Sequence, residues 1–488
     1  MKQIRAFHIT LFIAGILSAL FAITYFVPDD GFQFAGQKWK FLTFEKFIHP
    51  PKQNKKDIQD EIARVDTTYT DNAFTKHLND TSGSLGAASG GEINVNASSE
   101  LEMNENGRRN LNNFFTTLEN ASSSGSKISI LHYGDSQIEG DRMTNLIRAR
   151  IQSQFGGAGP GLIPANNVYN TVTFKQSFSE NFTRYTAFGG ASLKSGKYGV
   201  MASAARFTPE YADSVNVDTL DVSTAWIEVQ NSRATAYARA QEFNNVKMHY
   251  NDCKYPVKLN VYEAGALIHE EELVTDGAQH TVLLRFGKTP GKLKFEFEGK
   301  VSPNICAFSL EGDVGVQVSN IGMRGSSGTV FGRLNSATAQ PMFNELNTKL
   351  VILQFGGNSV PFFKDSVGVR NFASYFKGQI NRVKSMNPGA AIIVIGPSDM
   401  SKNDEGIYET YEYLPYCVTQ MRKATQEAGG AFWNLYAAMG GQNSMPSWVE
   451  KGLAGNDHIH FSNAGAKFAS QKFYDAFISA YAKSKNTP

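Results

Sequence analysis

Residues 127–155 read KISILHYGDSQIEGDRMTNLIRARIQSQF. The opening KISILHY is apolar and β-branched, which suits a buried strand. Gly134-Asp135-Ser136 then interrupts it. Beyond the interruption, Ile147, Ile151 and Phe155 recur at four-residue spacing and place one apolar stripe on a helix over Thr144–Phe155. Strand, turn and helix together predict an α/β unit, in which ligands bind outside the carboxyl ends of the strands. Ser136 stands at such an end, yet an isolated Gly-Asp-Ser is usually only a turn.

The C-terminal third repeats this texture. Leu350–Asn358 (LVILQFGGN), Ala390–Pro397 (AAIIVIGP) and Ala431–Tyr436 (AFWNLY) read as buried strands, with helical segments such as Thr419–Gly430 between them. That alternation predicts a parallel sheet covered by helices on both faces. The middle differs. Trp226–Gln230, Val246–Tyr250, Val257–Ala264, His280–Phe286, Leu293–Gly299 and Ile305–Gly312 alternate apolar and polar residues between Gly, Pro, Asn and Asp turns, which predicts a β-sandwich interrupting the α/β part.

The N-terminus is of another kind. Ile9–Val27 is nineteen residues without a charge, about 28 Å as a helix and close to the thickness of a hydrocarbon core. It reads as an uncleaved membrane anchor, since no A-x-A site follows it before Pro28. Residues 29–107, with the Ser/Gly/Asn-rich stretch Thr81–Glu100, read as a tether, and Asn106–Ala121 as a helix leading into the first strand. The expected organisation is 1–28 anchor, 29–107 tether, 108–168 and 311–488 α/β domain, and 169–310 inserted β-rich module.

Among the 488 residues, 47 Lys and Arg nearly balance 45 Asp and Glu. Nothing in this balance points to nucleic acid or to a polybasic membrane surface. Cys253, Cys306 and Cys417 are widely spaced, outside any C-x-x-C motif, and read as small buried residues, with a Cys253–Cys306 bridge the lesser reading.

Serine attacks a carbonyl only when a base takes its proton and donors hold the charge that develops. His460 in DHIHFSNAG (457–465) can be that base, and Asp457, three residues earlier, can orient its imidazole. The backbone N–H groups of Ser136 and of a glycine, with the Asn358 amide, can form an oxyanion hole. Asp135 reads as the hydrogen-bonding scaffold of the serine turn. Arg142 and Arg148 read as a solvated helix face, with phosphate or carboxylate binding the lesser reading, and Trp433 and Trp448 as core and pocket-wall residues rather than sugar platforms, Trp448 standing near enough to the DHIH loop to line the site. A His458/His460 metal pair is the lesser reading, because no further ligands accompany it.

GDSQ (134–137), a glycine of NIGMRGSSG (320–328), FGGN (355–358) and DHIH (457–460) resemble, in order, the four blocks of the SGNH (GDSL-type) hydrolases. Residues 134–164, 431–448 and 455–465 resemble more closely the bacterial peptidoglycan O-acetylesterases and related O-acetyltransferases, which carry an inserted carbohydrate-binding-like β module between the first two blocks. The resemblance implies a three-layer SGNH sandwich with Ser136 as nucleophile, His460 as base and Asp457 as its partner. Oxyanion donors would come from Ser136, Asn358 and Gly325, with Gly322 as the other candidate glycine. Ser359 replaces the usual acid after Asn358, and Gln137 stands where these enzymes often have histidine, so both mark divergence in acceptor or leaving group.

The expected function is a serine esterase that removes O-acetyl groups from peptidoglycan or a related glycan through an acetyl-enzyme, with no cofactor or metal. It would be anchored in a bacterial inner membrane by one helix, its catalytic domain on the periplasmic side. The alternatives are an O-acetyltransferase supplied by a membrane-bound O-acyltransferase partner, and an inactive glycan-binding envelope protein.

Overall fold

The computed structural model describes residues 6–486 apart from 27, 29–30, 35, 41–42, 50–52, 64, 66–99, 233–236 and 405. Most of the expected tether therefore lies outside the described residues. The chain forms two units, Met1–Lys55 with Asn403–Glu409, and Lys56–Lys402 with Thr410–Pro488. In the first, helix Ala6–Phe26 contains the apolar span His8–Phe26, none of it buried, with a mean hydropathy of 2.2.

The second unit is built on a sheet whose strands we number along the chain as β1 (Leu101–Met103), β2 (Lys127–Gly134), β3 (Gly315–Gly322), β4 (Thr348–Gln354), β5 (Ala391–Ile395) and β6 (Ala431–Trp433). Their order is β3-β2-β4-β5-β6-β1. All neighbours are parallel except β1, which runs antiparallel to β6. Every residue of β2 after Lys127 is buried, as its uninterrupted apolar character requires for a central strand covered on both faces. Leu101–Met103 is thus a strand and not tether; three residues carry too short a pattern to announce it.

Two apolar clusters line the two faces of this sheet. On one, helix Glu105–Ser123 is capped by the Asn104 side chain, which accepts the Gly107 N–H at 2.9 Å. It buries Leu111, Phe114, Phe115 and Leu118 at helical spacing, against Phe473 and Phe477 of helix Asn463–Lys485. On the other, helices Ser336–Glu345, Ser366–Met386 and Leu414–Glu427 bury Met342, Phe376 and Met421.

Between β2 and β3 the chain forms two antiparallel sheets. One runs His280–Arg285, Asn245–Asn251, Asn304–Glu311, Ser203–Arg206, Thr183–Thr186, with Gly161–Pro164 also paired to Asn304–Glu311; the other runs Ala266–Glu272, Val257–Glu263, Leu293–Gly299, Ser223–Asn231, Phe174–Phe178. Alternate residues of both, among them Ile227, Leu259, Phe295, Met248 and Phe308, enter one apolar cluster. All six segments read as strands from the sequence are strands. The segment begins earlier than expected, because Gly161–Pro164 already pairs with Asn304–Glu311. The three cysteines are free and buried.

Candidate active site

From β2 the chain returns to the sheet first as β3 on one side of β2 and then as β4 on the other. The carboxyl end of β2 is therefore the point where strand order reverses, and there a crevice opens in sheets of this kind. Gly134 ends β2 and Ser136 follows two residues later. Asp135 shapes the turn: its Oδ1 accepts the Gln137 N–H at 2.9 Å, and its N–H donates to Gln354 O of β4 at 3.3 Å.

Ser136 Oγ lies 2.9 Å from His460 Nε2, and His460 Nδ1 lies 2.7 Å from Asp457 Oδ2. The second Asp457 oxygen accepts the Ile459 and His460 N–H groups, each at 3.0 Å, so the carboxylate also shapes its own loop. Burial pushes the Asp457 carboxyl up, but the His460 side chain and these backbone donors outweigh it and hold the pKa below the ordinary aspartate value. The structure thus brings together the three residues singled out as nucleophile, base and orienting acid.

Asn358 enters from the turn after β4. Gly356 adopts φ +114° there, and a Cβ on it would stand 2.7 Å from Met421 Sδ, so this turn requires glycine. The Asn358 amide donates to Asp135 Oδ2 at 3.2 Å and to Ser326 O at 3.0 Å. It ties the serine turn to the turn Met323–Ser326, which Ser326 N–H closes onto Met323 O and in which Gly325 has φ +77°, as the third residue of a type II turn does. Among the described residues no acceptor meets the Ser136 or Gly325 N–H. Gly325 does not line the pocket holding Ser136 and His460, nor does Gly322, which ends β3 beside Gly134.

Phe355, Pro361, Met400 and Ile459 give that pocket an apolar wall, and Phe362 stands 79% exposed at it. Asp135 is buried, and burial raises its pKa to about 6 against the Gln137 N–H and the attraction of His460 and Arg142.

Two arginines were misread from the sequence, and Gln137 plays a part that the sequence did not announce. Gln137 is buried and is a strap: its amide donates to Ile459 O at 2.7 Å and accepts the Phe461 N–H at 3.2 Å, holding the histidine loop against the serine turn. Arg142 is no solvated face either. It donates to Ser136 O and, at 3.1 Å, to Phe461 O, joining the same two loops. Arg148, also read as solvated, is buried and grips Asp141 with both terminal nitrogens, at 2.6 and 3.1 Å. A carboxylate seven residues before an arginine leaves no periodic signal, so neither burial nor pairing was visible. Trp448 is core, its ring packed against Phe461 and Phe468 and its Nε1 donating to Met439 O. His458 is buried, and its carbonyl accepts the Ser401 N–H.

No family model and no curated protein matches the chain. Among solved structures, a peptidoglycan O-acetylesterase is similar over 76% of this chain and 96% of that one, with 20% identity and a TM-score of 0.60. A family two carbohydrate esterase from Clostridium thermocellum (12% identity, 55% and 93% covered, TM-score 0.20) and a GDSL-like lipase from Parabacteroides merdae (13%, 34% and 73%, 0.25) also match, at superpositions too loose to bear on the fold. With the sheet order, the serine at its switch point and the 0.60 superposition together, the chain has the fold of the SGNH-type hydrolases.

Proposed function

We propose that this chain is a serine esterase of the cell envelope that removes O-acetyl groups from peptidoglycan or a related glycan. The observation that carries this reading is the unbroken relay from Ser136 Oγ through His460 to Asp457 at the switch point. Ser136 Oγ attacks the acetyl carbonyl carbon while His460 Nε2 takes the serine proton. The carbonyl oxygen becomes an oxyanion that the Ser136 N–H holds, while Gly325 lies outside this pocket and the Asn358 amide, already donating to Asp135 Oδ2 and Ser326 O, holds the serine turn in place. As the intermediate collapses, protonated His460 returns the proton to the sugar oxygen, which leaves as a hydroxyl. A water then loses its proton to His460 and attacks the acetyl-serine; as this second intermediate collapses the bond to Ser136 Oγ breaks, His460 returns the proton to Oγ, and acetate leaves.

The small apolar wall of Phe355, Pro361, Met400 and Ile459 suits an acetyl methyl. The two antiparallel sheets between β2 and β3, which share one apolar core, are read as an inserted β-sandwich module of carbohydrate-binding type. Helix Ala6–Phe26 is read as the membrane anchor, with the catalytic unit on the periplasmic side where the glycan lies.

The test is acetate release from purified O-acetylated peptidoglycan and other acetylated polysaccharides, wild type against Ser136→Ala. Turnover should fall by about 10⁴-fold or more in the variant. Full hydrolysis by Ser136→Ala would remove this mechanism.

A further inference from the structure

A second crevice opens on the other side of the serine turn. It is lined by Glu139, three residues beyond the nucleophile, and by Gly322, which pairs with Gly134, together with Asn320, Tyr169, Arg184 and Phe188. Its cavity volume is about 50 Å³, several times the ~10–15 Å³ that one water needs.

Two arginines from distant parts of the chain converge on one ring here. Arg184 comes from strand Thr183–Thr186 of the inserted segment, and Arg324 from the turn that carries Gly325. The guanidinium carbon of each lies 5.9 Å from the centre of the Tyr169 ring, and that of Arg184 also lies 5.6 Å from the centre of Phe188. Arg184 is half-buried and its Nε is buried with no hydrogen-bond partner. Among the described residues no carboxylate pairs with it. Arg324 is 61% exposed and has Glu139 at 3.7 Å, a long contact that offsets only part of one charge. The other carboxylate in the crevice, Asp141, is already held by Arg148.

Arg184 lines this space without a carboxylate partner and Arg324 stands beside its Tyr169 wall, so the one loosely held carboxylate, Glu139, leaves an excess positive charge next to a space large enough for a carboxylate. Planar guanidinium forks match that group. We infer that the crevice lined by Tyr169 and Arg184, with Arg324 beside it, is a subsite for a carboxylate-bearing sugar unit of the acetylated glycan, and that the enzyme prefers acidic glycans to neutral ones. This rests on the esterase reading above.

The test uses the full chain in detergent, as wild type, Arg184→Gln and Arg324→Gln. The probes are O-acetylated polygalacturonate, the same polymer with its carboxylates reduced to alcohols, and 4-nitrophenyl acetate. Each substitution should raise KM for the acidic polymer about tenfold or more, the size of one lost charge-assisted contact. KM for the reduced polymer and turnover of the small ester should stay within twofold of wild type. Equal losses on all three probes, or no loss on the acidic polymer, would overturn the inference. If wild type cleaves none of the esters, the esterase reading fails by itself. Calorimetric titration with the acidic polymer then decides the subsite: binding weakened about tenfold by Arg184→Gln supports it, and binding equal to that of the reduced polymer overturns it.

Discussion

At the scale of single residues, the site depends on groups that never touch substrate. Gln137 fills three hydrogen-bond roles with one amide, to Ile459 O, Phe461 N and Ser398 Oγ. Gln137→Leu keeps the volume and leaves the Ile459 carbonyl and Phe461 N–H without partners, at about 1–3 kcal/mol each. Thermal denaturation should show the lower midpoint. Turnover should fall about 10- to 100-fold while KM for a small ester holds, because His460 Nε2 loses its registry with Ser136 Oγ. Asp457→Asn tests the orienting acid. Its carboxylate, held below the ordinary aspartate range, stays ionised wherever His460 is a neutral base. The amide variant should lose about 10²–10⁴-fold in kcat at every pH from 6 to 9, read by initial rates on 4-nitrophenyl acetate; a loss confined to the acid end would contradict the role.

At the scale of elements, the stretch 398–401 carries the catalytic loop on its back. Ser398 meets Gln137, Met400 walls the pocket and Ser401 N–H holds His458 O. Asp399 anchors this stretch by accepting from Thr410 Oγ1 at 2.8 Å, and from Ser444 Oγ at 3.2 Å and the Met445 N–H at 2.7 Å at the start of helix Ser444–Glu450. Burial raises its pKa to about 6, against these hydrogen bonds. The folded state therefore binds this proton more tightly than the unfolded chain, and its contribution declines as pH rises from about 4 to about 6. Across that window wild type should lose stability relative to Asp399→Asn by about 2–3 kcal/mol, measured by chemical denaturation at each pH. A gap that does not change with pH would show that folding leaves the Asp399 proton affinity unshifted.

The elements themselves were legible to different degrees. β2, β4, β5 and β6 announce themselves as short apolar runs between turns, and the six alternating strands between β2 and β3 by their period of two. β1 and Gly161–Pro164 escaped because three or four residues carry no period. Gly315–Gly322 was noticed for its glycine rather than as a strand, though it lies beside β2 and lines the second crevice with Asn320, Ile321 and Gly322. Ser136, Asp457, His460 and Asn358 were legible as residue types whose chemistry fits together. The straps were not: Gln137 and Arg142 act on carbonyls and N–H groups more than three hundred positions away, and backbone groups have no sequence signature.

At the scale of the whole molecule, the helix of the first unit and the sheet of the second answer to different solvents. No residue of span His8–Phe26 is buried, a state that water disfavours by roughly 25 cal/mol per Å² of exposed apolar surface and a bilayer does not. The full chain should therefore sediment with membranes and resist carbonate extraction. A chain beginning at residue 29 should appear in the soluble fraction with unchanged kcat/KM on 4-nitrophenyl acetate. Recovery of the full chain in the soluble fraction would exclude the anchor.

What the sequence determined by itself was local: which runs form strands or helices, where apolar length suffices for a membrane, and which residues have the chemistry of nucleophile, base, acid and oxyanion donor. These follow from periodicity, turn residues and reactive groups, all readable within a short window. The tertiary structure alone decided the rest. It placed β2 between β3 and β4 so that Ser136 opens on a crevice, laid the histidine loop 2.9 Å away by means of Gln137 and Arg142, and drew Arg184 and Arg324 onto one tyrosine. Such placements arise from burial and hydrogen bonding between segments far apart in the chain, and no window of sequence contains both partners.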